Sequence, residues 1–176
     1  MKLFKIFVSF FVIVGLFFSI SFLFPHTYKV ERSIEINKPV NEVFTFMGDL
    51  KNWEKWSVWN KSLDSSLYTF YSQKTDSLGA KQYFNGNLLG TGRFIINNYQ
   101  PNSIVGYQLH MHGSEVKANG VFLFYAKNNT TQLTWIDSGD VGYNPIFRYM
   151  IPSKVSSTEK AFDDGLKRIK EVVEKN

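Results

Sequence analysis

From Tyr28 onward the chain alternates apolar and polar positions with a period of two, and near its end that period lengthens to between three and four. "YKVERSIEI", residues 28–36, sets Val30, Arg32, Ile34 and Ile36 against charged neighbours, which predicts a strand. In "NKPVNEVFTFMGDL", residues 37–50, Val43, Phe44 and Met47 fall at helical spacing and Pro39 suits a first helical turn. "NWEKWSVWN", residues 52–60, follows and begins in a second short helix.

Six short strand-like runs come next, separated by turn signals. "SSLYTFY" precedes "QKTDSLG", "AKQYF" meets "NGN", and "LLGTGRFII" leads to "QPNS". "IVGYQLHMH" ends at Gly113-Ser114, "VKANGVFLFYA" ends at Asn128-Asn129, and "QLTWID" closes the set. Turns this short, rich in Gly, Asn and Pro, join antiparallel neighbours, so the runs form a meander without βαβ crossovers.

The tail reads as helix. Val155, Phe162, Leu166, Ile169 and Val173 make one apolar stripe, Ser156 and Glu159 form a candidate capping box, and cations crowd the C-terminal half. A twisted antiparallel sheet with one apolar face needs a cover, and this helix is the long one available. A rigid helix cannot fill a curved sheet evenly, so a cavity lined by inward strand positions is expected.

The other apolar run precedes the domain. "IFVSFFVIVGLFFSISFLF", Ile6 to Phe24, has no charge in 19 positions. As a helix it spans about 28 Å, close to the hydrocarbon thickness of a bilayer. It is longer than the usual apolar region of a signal peptide, and a membrane anchor is the preferred reading. Cleavage near Ser19-x-Ser21 is the alternative. Lys2 and Lys5 on the short side favour a cytoplasmic N-terminus, against Lys29 and Arg32 on the other flank. The expected arrangement is a single-pass protein, residues 1–25 as anchor (or signal peptide) and 26–176 as one domain. That domain lies on the extracytoplasmic side, periplasmic if the cell has an outer membrane.

Composition adds exclusions. The 176 residues include no Cys, which removes disulfides, thiol nucleophiles and cysteine metal sites. Setting aside Lys2 and Lys5 leaves 18 basic against 15 acidic residues with no basic run, and nucleic acid is not an expected partner. Aromatic residues make up 17% of the chain, and three of its 4 tryptophans fall between Asn52 and Asn60.

"VERSIEINKPVNEVFTFMGDLKNWEKWSVWN", "GAKQYFNGN", "GTGRFIINNYQPNSIVGYQL" and "AFDDGLKRIKEV" together resemble the START-like, or SRPBCC, superfamily. The match is to its polyketide cyclase/dehydrase-like branch, and it covers nearly everything from Tyr28 to the end. The resemblance implies an α+β helix-grip fold: a seven-stranded antiparallel sheet wrapped around a long C-terminal helix, with two short helices after the first strand. It implies a hydrophobic tunnel between sheet and helix, in a superfamily whose members bind lipids, sterols, hormones, polyketides or quinone-like molecules. A minority catalyse cyclisation or related chemistry. Pro152 departs from the pattern and is expected to split the tail into a helical turn at 147–151 and a separate long helix.

The expected ligand-lining residues are Trp56, Trp59, Phe84, Phe94, Tyr107, Leu109, Phe122, Trp135 and Phe162. Trp53 is expected beneath the short helices, with Trp56 and Trp59 lining or rimming the cavity and mattering more for uptake than for stability. Val105, Tyr107, Leu109 and Met111 share one strand face, which turns Gln108, His110 and His112 the other way. His110 and His112 supply two metal ligands where a site needs three or four, and no metal or other cofactor is expected. Gly90 and Gly92 lie inside a strand pattern and suggest a bend rather than a nucleotide loop. Gly165 sits inside the last helix, where something must approach closely.

No catalytic constellation is visible. Asp137, Asp140 and Tyr107 are the best acid–base groups on offer. The leading expectation is therefore a membrane-tethered binding module for a hydrophobic small molecule or lipid. A cyclase or dehydratase acting in the same cavity is the alternative, and an interaction or envelope-maintenance protein with a fully packed core is the third.

Overall fold

In the computed structural model residues 2–113 and 117–175 are described. The elements run α1 (Lys2–Ser21), β1 (Thr27–Ile36), α2 (Val40–Gly48), a 3-10 turn (Leu50–Lys55), then β2 (Tyr68–Tyr71), β3 (Lys81–Gly86) and β4 (Gly90–Gln100). After these come β5 (Ile104–Met111), β6 (Lys117–Lys127), β7 (Thr130–Asp140) and α3 (Pro145–Lys175). Seven antiparallel strands form one sheet in the order β1-β7-β6-β5-β4-β3-β2. The meander closes when β7 returns to pair with β1, so the first strand becomes one edge and β2 the other. Ser114 of the anticipated Gly113-Ser114 turn, and Val116 at the head of the anticipated sixth strand, lie outside the described residues.

The turns follow the anticipated chemistry. Asn102 after Pro101, and Asn128, adopt positive φ of 57° and 55°, which asparagine tolerates better than most residues. The strand irregularity lies elsewhere than the glycines suggest. The register of β4 against β5 shifts between Ile96 and Asn98, whereas Gly92 pairs regularly with Phe84 and Met111. Its missing Cβ makes room for the Phe84 ring and the His110 carbonyl. Pro39 is the residue preceding α2, with ψ of 150°, and does not occupy its first helical turn.

The tail differs more. Pro152 lies within a continuous 31-residue helix. The helix starts earlier because Asn144 Oδ1 accepts from the Ile146 N–H at 3.0 Å and Pro145 fills the first helical position, where no donor is needed. Ser156 and Glu159 are therefore mid-helix and cap nothing. Proline in a helix interior costs about 3 kcal/mol. Here Ile151, packed with Tyr28, Val30 and Phe162, holds the turn beside it against the sheet.

α3 lies along the inner side of β1. Arg32, on that face, bonds Glu159 at 2.9 Å and Asp163 at 3.5 Å. Leu166, Ile169 and Val173 join a core with Ile36, Val43, Met47 and Leu133. The helix alone does not cover the sheet: α2, the 3-10 turn and the tryptophan segment pack over its middle. A hollow is left where these two covers meet.

Candidate functional site

The hollow is a cavity of about 350 Å³, within the usual range of roughly 300–1,000 Å³ for ligand sites. Its floor is strand: Tyr28 of β1, Phe94 of β4, Tyr107 and Leu109 of β5, Ala118 of β6, and Trp135 and Asp137 of β7. One wall is the segment Trp53, Trp56, Ser57, Val58 and Trp59; the other is α3, from Lys154 through Ser157, Ala161, Phe162 and Gly165 to Arg168. All 4 tryptophans of the chain meet at this one cavity.

Each indole is held differently. Trp53 Nε1 donates to the Met47 carbonyl at 2.8 Å, which fixes the segment to the end of α2. Its ring also reaches the cavity and packs edge-on against Tyr107 and Phe94 at 5.1 and 5.5 Å. Trp56 is only 2% exposed and stands edge-on to Trp135 and Phe122. Arg168 Nε donates to the Trp56 carbonyl at 2.7 Å, tying the two walls together. Trp59 is half-buried against Phe84 and Phe94. Trp135 lies flat on Phe162, with centroids 3.8 Å apart, and donates from Nε1 to the Tyr107 hydroxyl at 3.0 Å.

Two glycines admit this arrangement. A Cβ at Gly120 would overlap the Tyr107 ring. A Cβ at Gly165 would stand 2.8 Å from the Trp135 ring, which explains why a helix-weakening residue sits there.

Polar chemistry gathers at the β7 end. Asp137 is half-buried, and burial pushes its carboxyl up to about 6, against the opposing pull of Lys154 and a hydrogen bond from Tyr28. Lys154 Nζ donates to the Tyr28 hydroxyl at 2.7 Å and lies 4.1 Å from the centre of its ring. Burial raises the Tyr107 phenol well above its usual range, so it stays a neutral donor. Three buried atoms of the lining residues, Trp56 Nε1, Trp59 Nε1 and Asp137 Oδ1, have no hydrogen-bond partner among the described residues. Buried polar atoms normally have one.

Seven of the nine anticipated residues line the cavity: Trp56, Trp59, Phe94, Tyr107, Leu109, Trp135 and Phe162. Phe84 and Phe122 lie in the packed core behind it, each 1% exposed or less. Asp140 is exposed at the end of β7, where it accepts from the Gly142 N–H at 2.7 Å and meets His26; these bonds lower its pKa. It is a loop cap, away from the cavity. Tyr28, Trp53, Lys154 and Arg168 were not anticipated as lining. Tyr28 carried a signal, since it shares the alternation of Val30 and Ile36. Lys154 and Arg168 carried none, because exposed helical cations look alike in sequence. His110 lies on the far face of β5, bonded to Gln108 at 2.6 Å, and no group of three or more metal-ligating side chains occurs among the described residues.

Residues 27–174 match the family described as "Polyketide cyclase / dehydrase and lipid transport". A solved structure from Mesorhizobium loti is similar with a TM-score of 0.63 at 10% identity, over 85% of this chain and 98% of that one. The Aha1 dimer from Colwellia psychrerythraea is similar at 0.58 and 15%, over 84% and 96%. The di-domain ARO/CYC BexL from the BE-7585A biosynthetic pathway is similar at 0.59 and 14%, over 84% of this chain and 46% of that one. At these identities the likeness is one of fold. No curated protein matches the chain.

Proposed function

The chain belongs to the polyketide cyclase / dehydrase and lipid transport family, and from that premise we propose a membrane-tethered module that binds a hydrophobic small molecule or lipid. The observation that carries this reading is the convergence of all 4 tryptophans on one largely apolar cavity. Indoles packed edge-on or tilted, with Trp135 stacked on Phe162, supply an apolar bed for the ligand. Residues 26–176 are the binding domain. Residues 1–25 are the tether, the N-terminus lying in the cytoplasm and the domain outside it. α1 is 20 residues long and apolar throughout its core, the length a bilayer demands, and a cleaved signal sequence satisfies the same pattern.

The test uses the full chain in lipid nanodiscs and a fluorescent polyene fatty acid as probe. Excitation of tryptophan should produce probe emission that saturates at one probe per chain, and organic extraction followed by mass spectrometry should identify what co-purifies. Gly165→Leu places a branched side chain against Trp135 and into the cavity. It is expected to weaken uptake at least tenfold while costing about 1–3 kcal/mol of stability through overpacking. Equal uptake by wild type and variant would reject the cavity as the binding site.

A second reading, a cyclase or dehydratase in the same cavity, is favoured by one observation. Asp137 is among the residues lining the cavity, and its carboxyl changes charge near neutral pH, the property a general acid or base requires. Under this reading Asp137→Asn abolishes conversion of the co-purified molecule and leaves its binding intact.

A further inference from the structure

α3 is amphipathic over most of its length, but the outward side of its first two turns is apolar. Arg148 and Ile151 face inward and are buried. Tyr143, Ile146, Phe147 and Met150 face outward and are all exposed, Tyr143 at 83% and Ile146 at 59%. Ile146 and Phe147, four and three residues before Met150, share one helix face with it, and Tyr143 lies in the turn just before the helix begins. Beyond Pro152 the exposed positions of the same helix turn mainly polar: Ser153, Ser156, Ser157, Lys160, Asp163 and Asp164.

This face is continuous with the end of α1. The Tyr149 hydroxyl donates to the Phe17 carbonyl at 2.8 Å, and its ring packs on Phe17 and Phe24 at 4.8 and 4.9 Å. The Arg148 guanidinium lies over both the Phe22 ring at 5.1 Å and the Tyr143 ring at 5.6 Å. Phe22 and Leu23 are exposed beside them. The outward apolar surface of α3 thus begins where the apolar helix ends, with an aromatic residue bearing a polar tip at its margin. Amphipathic helices and aromatic belts of this kind sit at the boundary between headgroups and acyl chains.

We propose that the first two turns of α3, with Phe22 and Leu23, form a seat that lies in the lipid headgroup boundary and docks the domain on its own membrane. This rests on the reading of α1 as a membrane span. The seat fixes how the cavity stands relative to the bilayer. Lys154, the first α3 residue to line the cavity, follows Met150 by four residues, about 6 Å along the helix axis. The Lys154 end of the cavity therefore stands beside the lipid surface, which leaves a hydrophobic ligand a short distance to cross between bilayer and cavity.

The absence of native cysteine makes the test direct. Single cysteines replace Ile146, Met150, Val12 and Leu78 in the full chain, each carrying a small fluorophore. The proteins are reconstituted in vesicles of phosphatidylethanolamine and phosphatidylglycerol containing spin-labelled lipids as depth-resolved quenchers. Leu78 is an exposed control in the loop between β2 and β3, at the sheet edge opposite β1. Labels at 146 and 150 are expected to be quenched several-fold more than the label at 78, with shallow-labelled lipids most effective. The label at 12 should respond best to deep-labelled lipids. If position 12 is quenched while 146 and 150 behave like 78, the seat is wrong and the tether stands. If position 12 is not quenched, the tether itself fails and the seat falls with it.

Discussion

Trp56→Ala is expected to lower the unfolding free energy by about 3–5 kcal/mol, the range for truncating a large buried aromatic. The ring is 2% exposed, stands edge-on to Trp135 and Phe122 at centroid distances of 5.4 and 5.8 Å, and packs tilted against Trp53 at 5.6 Å. Its removal joins a void to the existing cavity and leaves Phe122 and Trp135 without a partner on one side. The main-chain bond from Arg168 survives, so the helix keeps its anchor and the loss is one of packing. Trp59 gives the contrast. It is half-buried and leans on Phe84 and Phe94 from the rim. Trp59→Ala should cost less than half as much stability while weakening uptake of the fatty-acid probe to a similar degree. Urea denaturation of the two variants, read beside probe titrations, separates these roles. A loss below about 1 kcal/mol for Trp56→Ala would show that the segment is a detachable lid rather than part of the core.

That contrast also marks how far the sequence reaches. Period-two runs and Asn- or Gly-based turns disclosed the meander, because a strand with one buried face must alternate and an antiparallel turn must be short. Four of the seven cavity residues, Phe94, Tyr107, Leu109 and Trp135, were legible for the same reason, since inward strand positions follow from parity. Depth was not legible. Parity puts Phe84, Phe94 and Phe122 on the inner face alike, yet only Phe94 meets the cavity, because α2 and the tryptophan segment cover the other two. Which inner position stays uncovered depends on how two separate elements pack above it, and no local period encodes that. Pro152 misled for a related reason. A proline states its local cost, but the burial of Ile151 that offsets it comes in part from Tyr28 and Val30, more than a hundred positions away. Gly165 was half legible: its helix penalty announced a close neighbour, and only the structure identifies that neighbour as the Trp135 ring.

Asp137 yields the other large effect, and its sign is opposite to that of most carboxylates. Its folded pKa is raised to about 6, against roughly 3.9 in an unfolded chain. Between those values the folded protein binds more protons than the unfolded one, so stability falls as pH rises. The stabilisation is complete below about pH 4 and is lost as pH passes through about 6. A full shift of two units corresponds to nearly 3 kcal/mol at 1.4 kcal/mol per unit, and partial solvent access reduces this to about 1–3 kcal/mol. The other shifted groups do not obscure the window. Hydrogen bonds from Ser66, Leu88 and Leu89 hold Asp64 down to about 2, and Asp140 is lowered by Gly142 and His26. Both stabilise above the unfolded carboxylate range and lose that contribution only as pH falls below it. Tyr71, Tyr99 and Tyr107 are raised from an already alkaline range. Unfolding free energies measured by urea at pH 4, 5, 6 and 7 should therefore decline, and Asp137→Asn should flatten the curve while leaving the acid limb unchanged. A wild-type curve that rises from pH 4 to 6 would mean that Lys154 and Tyr28 hold the carboxylate charged. That result would remove the acid–base group on which a catalytic reading of the cavity depends. A falling curve leaves, in a cavity lined by four tryptophans, a carboxyl that changes charge at mildly acidic pH.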